Sequence, residues 1–145
     1  MQMLFSILHQ SDTAYAEAKE KLKSRYGNES VICKAFLDKL ASWPRIRFRD
    51  AAGIQRYGDF LDQVKVAKHK IKDLEVLDFS VESVKVIERL PTYLQDAWRG
   101  TVKNWRSKYG KNSYPPFDEI VKFVNEASEK ENIPELEHMN KIVNM

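Results

Sequence analysis

The side chains able to do acid–base, nucleophilic or metal chemistry are His9, His69 and His138, Cys33, and the aspartates Asp59, Asp62, Asp73 and Asp78. A metal site needs ligands spaced so that one element presents them together, as with histidines four apart on a helix. None of the three histidines has a second ligand at such a spacing, so each reads as a solvent-facing side chain, and no metal or other cofactor is expected. Cys33 is the only cysteine. That excludes an intramolecular disulfide and a four-cysteine zinc site, and it suits a reducing compartment. Cys33 lies in the first turns of a helical pattern, where a thiolate is weakly favoured. Its neighbour Ile32 places it on a packing face, so a buried, unreactive thiol is the stronger reading.

Asp59 and Asp62 stand three apart in a helical pattern and share a face. Arg56, Lys65 and Lys68 flank them, which makes that face a solvated one. Asp73 and Asp78 form a second, looser pair. The chain contains no glycine-rich phosphate loop, no Gly-x-Ser-x-Gly elbow and no Asp-Thr/Ser-Gly triplet. It is therefore not expected to be an enzyme. An enzyme would instead show a pocket lined by Asp59, Asp62 or His69 with strongly perturbed ionisation.

Binding chemistry has better candidates. Arg45, Arg47 and Arg49 alternate along an extended stretch and point to one side of it. Arg99, Lys103 and Arg106 share one helix face, followed by Lys108 and Lys111, with Trp105 and Tyr109 among them. Basic residues interleaved with aromatics can hold RNA through phosphate contacts and base stacking. The competing reading is that the tryptophans face the core and the basic residues face water, since the tryptophans fit a buried stripe. Glu126, Glu129, Glu131, Glu135 and Glu137 could pair with the basic face, and in a self-assembling protein the pairing could run between molecules.

Helices must position these groups. Ser11 and Asp12 can cap a helix running to Tyr26, with Tyr15, Ala18, Leu22 and Tyr26 on one face and Gly27 as its stop. Asn28 can cap the next, burying Val31, Ile32, Ala35, Phe36, Leu37 and Leu40 and ending at Trp43 before Pro44. The 45–49 stretch alternates like a strand but has no partner strand, so it reads as an extended linker. Asp50 caps a long helix to about Ile71, with Ile54, Tyr57, Leu61, Val64 and Lys68 in one stripe and Phe60 and Ala67 beside it. Gly53 and Gly58 weaken that helix by about 1 kcal/mol each and mark either close packing or mere irregularity.

Leu74 to Phe79 form an apolar connection. Ser80 caps Val81 to Arg89, with Val84, Ile87 and Leu90 on one side. Pro91 opens a helix with the stripe Leu94, Trp98, Val102 and Trp105, ending near Gly110. After a 111–116 loop, Phe117, Ile120, Val121, Val124 and Ala127 mark another helix, and Ile133 and Pro134 start a short final segment. The fold class is all-α: a compact orthogonal bundle of about six to seven helices.

The chain has 145 residues and a net charge of +3. That length suits one domain, and that charge permits contact with nucleic acid without requiring it. No apolar run approaches the roughly 20 residues that span a bilayer. The stretch from Met1 to His9 lacks a basic leader and a cleavage site. It reads as the tail of a helix whose earlier partners are missing, and not as a signal peptide.

Tyr15, Ala18, Leu22, Arg25, Tyr26 and Gly27 resemble the Tyr-x-x-Ala-x-x-x-Leu-x-x-Arg-Phe/Tyr-Gly helix of the Gag-like region in BEL/Pao retrotransposon polyproteins. The resemblance continues through Ala35, Phe36, Lys39, Leu40, Trp43, Pro44 and Ile46. It then takes in Arg49, Asp50, Gly53, Ile54, Tyr57, Phe60 and Leu61. Arg89, Leu90, Pro91, Leu94 and Trp98 stand where the family has Lys-Leu-Pro followed by a tryptophan, with arginine for lysine as a departure. Pro116, Phe117, Phe123, Val124, Glu126 and Ala127 close it. Order and spacing over roughly residues 12–130 carry the likeness, and the version in vertebrate elements is most similar. Gag proteins of the Ty3/Gypsy type share a looser version.

The resemblance implies a bundle like the C-terminal domain of retroviral capsids over residues 28–145, with residues 1–27 as the last helix of the N-terminal lobe. It implies self-association, as homodimers and higher assemblies, into cytoplasmic virus-like particles around element RNA. No membrane or small-molecule partner is implied. By analogy with retroviral capsids, Val81, Val84, Lys85 and Glu88 would form a dimer contact. The family's protease, reverse transcriptase and integrase do not transfer. No Cys/His zinc knuckle is present, so RNA contact through Arg45, Arg47, Arg49, Arg99, Lys103 and Arg106 would be secondary. The alternative is a domesticated Gag-derived host protein acting as a protein- or RNA-binding module.

Overall fold

The computed structural model describes residues 29–136, together with 16 and 17, and every regular element among them is helical. The expected Ser11–Tyr26 helix and the division at residues 27 and 28 lie outside the described residues, except for helical Ala16 and Glu17.

Helix α1 (Glu29–Ser42) opens on an acid at its positive end and buries Ile32, Cys33, Ala35, Phe36 and Leu40. It stops ahead of Pro44, and the Trp43 ring then stacks on Phe60 at 5.0 Å and 11°. The following stretch forms no strand, as expected, but it is not extended throughout, since it turns at Phe48 and Arg49. Only Ile46 within it is buried, and its amide donates to the Arg89 carbonyl at 2.8 Å. Arg89 also donates from its guanidinium to the Ala41 carbonyl at 2.9 Å. A long cationic donor at this position thus ties the end of α1 to the chain ahead of Pro91.

Helix α2 (Ala51–Lys68) is capped as its sequence implies, with the Asp50 carboxylate accepting from the Gly53 amide at 3.0 Å. Its buried stripe is the expected one, except at Lys68. That ammonium lies between Asp78 at 3.1 Å and Asp118 at 3.6 Å, so it neutralises two carboxylates and does not pack as an aliphatic stem. Gly58 marks close packing: a Cβ there would come within 2.7 Å of the Asn125 side chain on α5. The helix stops three residues short of Ile71. The apolar connection after it winds into a 3-10 helix, Lys72–Asp78, that buries Leu74 and Leu77.

Helix α3 (Ser80–Ile87) departs from expectation three times. Phe79 holds the cap position and makes no side-chain bond, so Ser80 is the first helical residue and not its cap. The buried face is Ser83, Val86 and Ile87, whereas Val84 is 45 % exposed. The helix ends two residues earlier than Arg89, which places buried Leu90 in the turn beyond it. Helix α4 (Thr92–Tyr109) follows Pro91 and stops at Gly110, whose φ of 121° favours glycine.

Helix α5 (Phe117–Glu131) buries Phe117, Ile120, Val121, Val124 and Ala127 as expected, and Ser128 with them. The Phe117 amide at its start donates to the Asp78 carboxylate at 2.8 Å. Helices α2 and α5 form the most extensive contact of the fold and its central pair. A short 3-10 helix, Pro134–Leu136, follows. The result is an all-α bundle, compact around one apolar core.

Candidate functional site

Helix α3 is eight residues long and buries three of them. Val81, Val84, Lys85 and Glu88 fall at i, i+3, i+4 and i+7 and are all exposed, so they form one outward face. Val81 is 69 % exposed and Phe79, just before the helix, 66 %. Lys85 pairs with Glu82 at 3.2 Å across one turn.

Helix α4 is longer and less embedded. Of its eighteen residues only Leu94 and Trp98 are buried. The expected stripe continues as half-buried Val102 and Trp105, with Trp105 lying 4.2 Å from the Tyr109 ring. The first half of the helix is anchored through Trp98, which donates from Nε1 to the Tyr114 hydroxyl at 3.0 Å and meets Phe123 edge-on at 5.3 Å. The Tyr114 hydroxyl shares a second hydrogen bond with Ser83 at 2.9 Å, which links α3, α4 and the loop before α5.

Between α3 and α4 lies a groove of about 790 Å3. Val84, Ile87, Trp98, Val102 and Tyr114 contribute its apolar surface, and Arg99, Lys103, Arg106 and Lys111 its basic side. Glu88 and Gln95 line it as well, and Gln95 donates to the Leu90 carbonyl at 2.8 Å. Arg106 donates from Nε to the Ser113 carbonyl at 3.0 Å, which holds the 111–116 loop against the helix. Two groups separate in sequence therefore share one concavity: Val84 and Glu88 from the expected dimer face, and Arg99, Lys103 and Arg106 from the expected RNA face. Sequence reasoning missed Tyr114 and Gln95. The signal for Tyr114 was an aromatic placed directly before Pro115 and Pro116 in a loop otherwise built of polar and small residues.

The first basic cluster does not survive as a row. Arg45 donates to the Thr92 hydroxyl at 3.1 Å, and Arg47 is exposed. Arg49 adopts a left-handed φ of 62°, which breaks the alternation and turns its guanidinium inward. There it pairs with Glu131 at 3.1 Å and lies over the Phe48 and Tyr93 rings at 5.0 and 5.6 Å. Glu131, 7 % exposed on its side chain, also accepts from the Tyr93 hydroxyl at 2.5 Å. Glu131 is thus committed to Arg49 and not to the basic face of α4, while Glu126, Glu129 and Glu135 are exposed. Glu137 lies outside the described residues. A hollow of about 360 Å3 runs over Arg45, Arg47, Phe48, Thr92 and Tyr93.

The catalytic candidates do not converge. Asp59 and Asp62 are exposed, Asp62 accepting from Asn125 at 3.0 Å, and His69 is exposed 3.8 Å from Asp118. None of the three lines the groove or the hollow. His9 and His138 lie outside the described residues. Cys33 is buried, and burial, helped by the Asp73 charge, raises its thiol pKa. Among the described residues no three His, Cys, Asp or Glu side chains are grouped to hold a metal, and no helix is long and apolar enough to cross a membrane.

This is a helical structural domain whose distinctive chemistry lies on its surface, in one short helix with an apolar outer face and one long helix with a basic one. The chain belongs to the family described as "Protein of unknown function (DUF1759)", whose model matches residues 2–107, and which comprises retrotransposon-associated, Gag-like polyprotein regions. The match runs through α1, α2 and α3 and into the last turn of α4. No curated protein and no solved structure matches the chain.

Proposed function

We propose that the chain is a capsid-type structural domain of a Gag protein from a BEL/Pao-type element, working by association with copies of itself into cytoplasmic particles around element RNA. The observation that carries this reading is the outer face of α3, where Phe79, Val81 and Val84 are exposed together on a helix otherwise anchored in the core. Fully covering an aliphatic or aromatic side chain gains roughly 1.5–3 kcal/mol. A two-fold contact presents each such residue twice. Lys85 and Glu88 flank the apolar centre with opposite charges, so two copies meeting antiparallel can pair them across the axis. Contacts of this size are weak singly and add across a lattice. Like retroviral capsid C-terminal domains, such a domain works through its surface and catalyses nothing.

Val84→Asp leaves the core untouched and places a charge in the contact. Sedimentation velocity is expected to show dimers and larger species shifting to monomer, with the thermal transition unchanged. Val81→Asp repeats the test outside the groove. Unchanged oligomers in both variants would refute the α3 contact. The concave, basic-sided groove favours a second reading, a domesticated Gag-derived host protein using the fold as a binding module. Light scattering at rising concentration and falling salt separates the two: growth into shells supports the capsid, and a fixed monomer supports the module.

A further inference from the structure

The chain carries a net charge of +3, yet that charge is not spread evenly. Helix α4 holds four basic residues, Arg99, Lys103, Arg106 and Lys108, against one acid, Asp96. Helix α5 holds five acids against two lysines. The positive excess of the chain is thus matched by α4 alone.

Its arrangement is linear. Arg99, Lys103 and Arg106 follow at four and three residues and so share a face. Thr92 lies seven residues before Arg99 on that same face, and its hydroxyl accepts from Arg45. Lys111, just past the helix, extends the row at the other end. From Thr92 to Arg106 the row is roughly 20 Å long at the helical rise. No ion pair among the described residues uses Arg99, Lys103, Arg106 or Lys111, and Asp96 is not bridged to Arg99. A solvated helix usually interleaves opposite charges one turn apart. This one leaves its cations unmatched, beside a groove whose apolar wall includes half-buried Val102 and the phenol of Tyr114.

We infer that the α3–α4 groove is a track for single-stranded nucleic acid, with phosphates along Arg99, Lys103, Arg106 and Lys111 and bases against Val102 and Tyr114. The inference rests on the capsid reading and names the face that would meet nucleic acid. Phosphates are the polymeric anions that match a regular row of cations. Bases supply the flat apolar surfaces that match the groove, and only an unpaired strand can turn them inward. The separation of charge between α4 and α5 also admits a competing ligand, an acidic protein segment, which the test must exclude.

Fluorescence anisotropy of the full chain with a labelled 12-nucleotide oligouridylate is the measurement, run below any concentration at which the chain self-associates. Affinity should fall steeply with salt. The variant with Arg99→Ala, Lys103→Ala and Arg106→Ala should bind at least tenfold more weakly with a shallower salt slope, by about 0.7 for each phosphate no longer neutralised. All three side chains are exposed, and an unchanged thermal melt verifies the fold. Oligodeoxyuridylate in a parallel arm decides between RNA and DNA, and preference for either one upholds the track. Equal affinity for a duplex of the same length, equal affinity for polyglutamate, or undiminished binding by the triple variant would each overturn it. Particle formation is scored separately. Binding without particles defeats the capsid reading alone, and particles without binding defeat the track alone.

Discussion

Replacing Arg49 should cost stability and leave oligonucleotide binding unchanged, contrary to what its place in an arginine row suggests. The guanidinium meets a Glu131 side chain that is 7 % exposed, while the arginine itself is 34 % exposed. Breaking a fully buried pair costs about 3–5 kcal/mol, and an exposed one about 0–1 kcal/mol. This pair lies between the two limits. It also makes one contact and not two, since Arg49 Nε and Glu131 Oε2 are buried without hydrogen-bond partners. Arg49→Ala is therefore expected to lose about 2 kcal/mol. The backbone adds a second, separable effect. At a φ of 62° a side chain bearing a Cβ is strained, by about 1 kcal/mol relative to glycine. Arg49→Gly should consequently lose only about 1 kcal/mol. Urea unfolding followed by tryptophan fluorescence reads both, with an unchanged slope as the check on two-state behaviour. A double-mutant cycle with Glu131→Gln isolates the pair. A loss below about 0.5 kcal/mol in Arg49→Ala would refute the pairing argument. Arg49→Gly proving no more stable than Arg49→Ala would refute the backbone argument.

Two further outcomes follow from burial. Tyr57 donates from its hydroxyl to the Val86 carbonyl at 2.8 Å, and burial raises its pKa above the ordinary 10.0, with nearby Arg89 opposing. Burial, reinforced by Glu131, raises Tyr93 in the same direction. A group raised in the folded state stabilises fully below its unfolded pKa and loses that contribution above it. Stability should thus hold to about pH 10 and decline beyond it, with a shallower decline in the double variant Tyr57→Phe/Tyr93→Phe, measured by urea titration at each pH. Cys33, buried with a raised thiol pKa, should react with an alkylating reagent about a hundredfold more slowly in the native chain than in urea. Comparable rates would show that the face of α1 that bears it is not packed against the core.

Much of the scaffold was legible because helical punctuation is local. Asp50 capping at Gly53, the stops at Pro44 and Gly110, and the three-to-four spacing from Phe117 to Ala127 depend on neighbours within one or two turns. The face of α3 was less legible. Three valines and an isoleucine alternate with polar residues over Ser80–Ile87, and more than one stripe satisfies that pattern. The structure chose Val86 and Ile87 for the core and turned Val84 outward.

Sequence by itself determined that the chain folds as helices with an apolar core, and which residues carry the positive charge of α4. Tertiary structure alone decided that Lys68 would bridge Asp78 and Asp118, that Arg49 would turn in to Glu131, and that Val84 and Glu88 would share a groove with Arg99, Lys103 and Arg106. The physical reason is range. Caps, stops and periodicity act through bonds between near neighbours. The partner of a charge and the shape of a concavity depend on residues tens of positions away, which only the packing of the helices brings together.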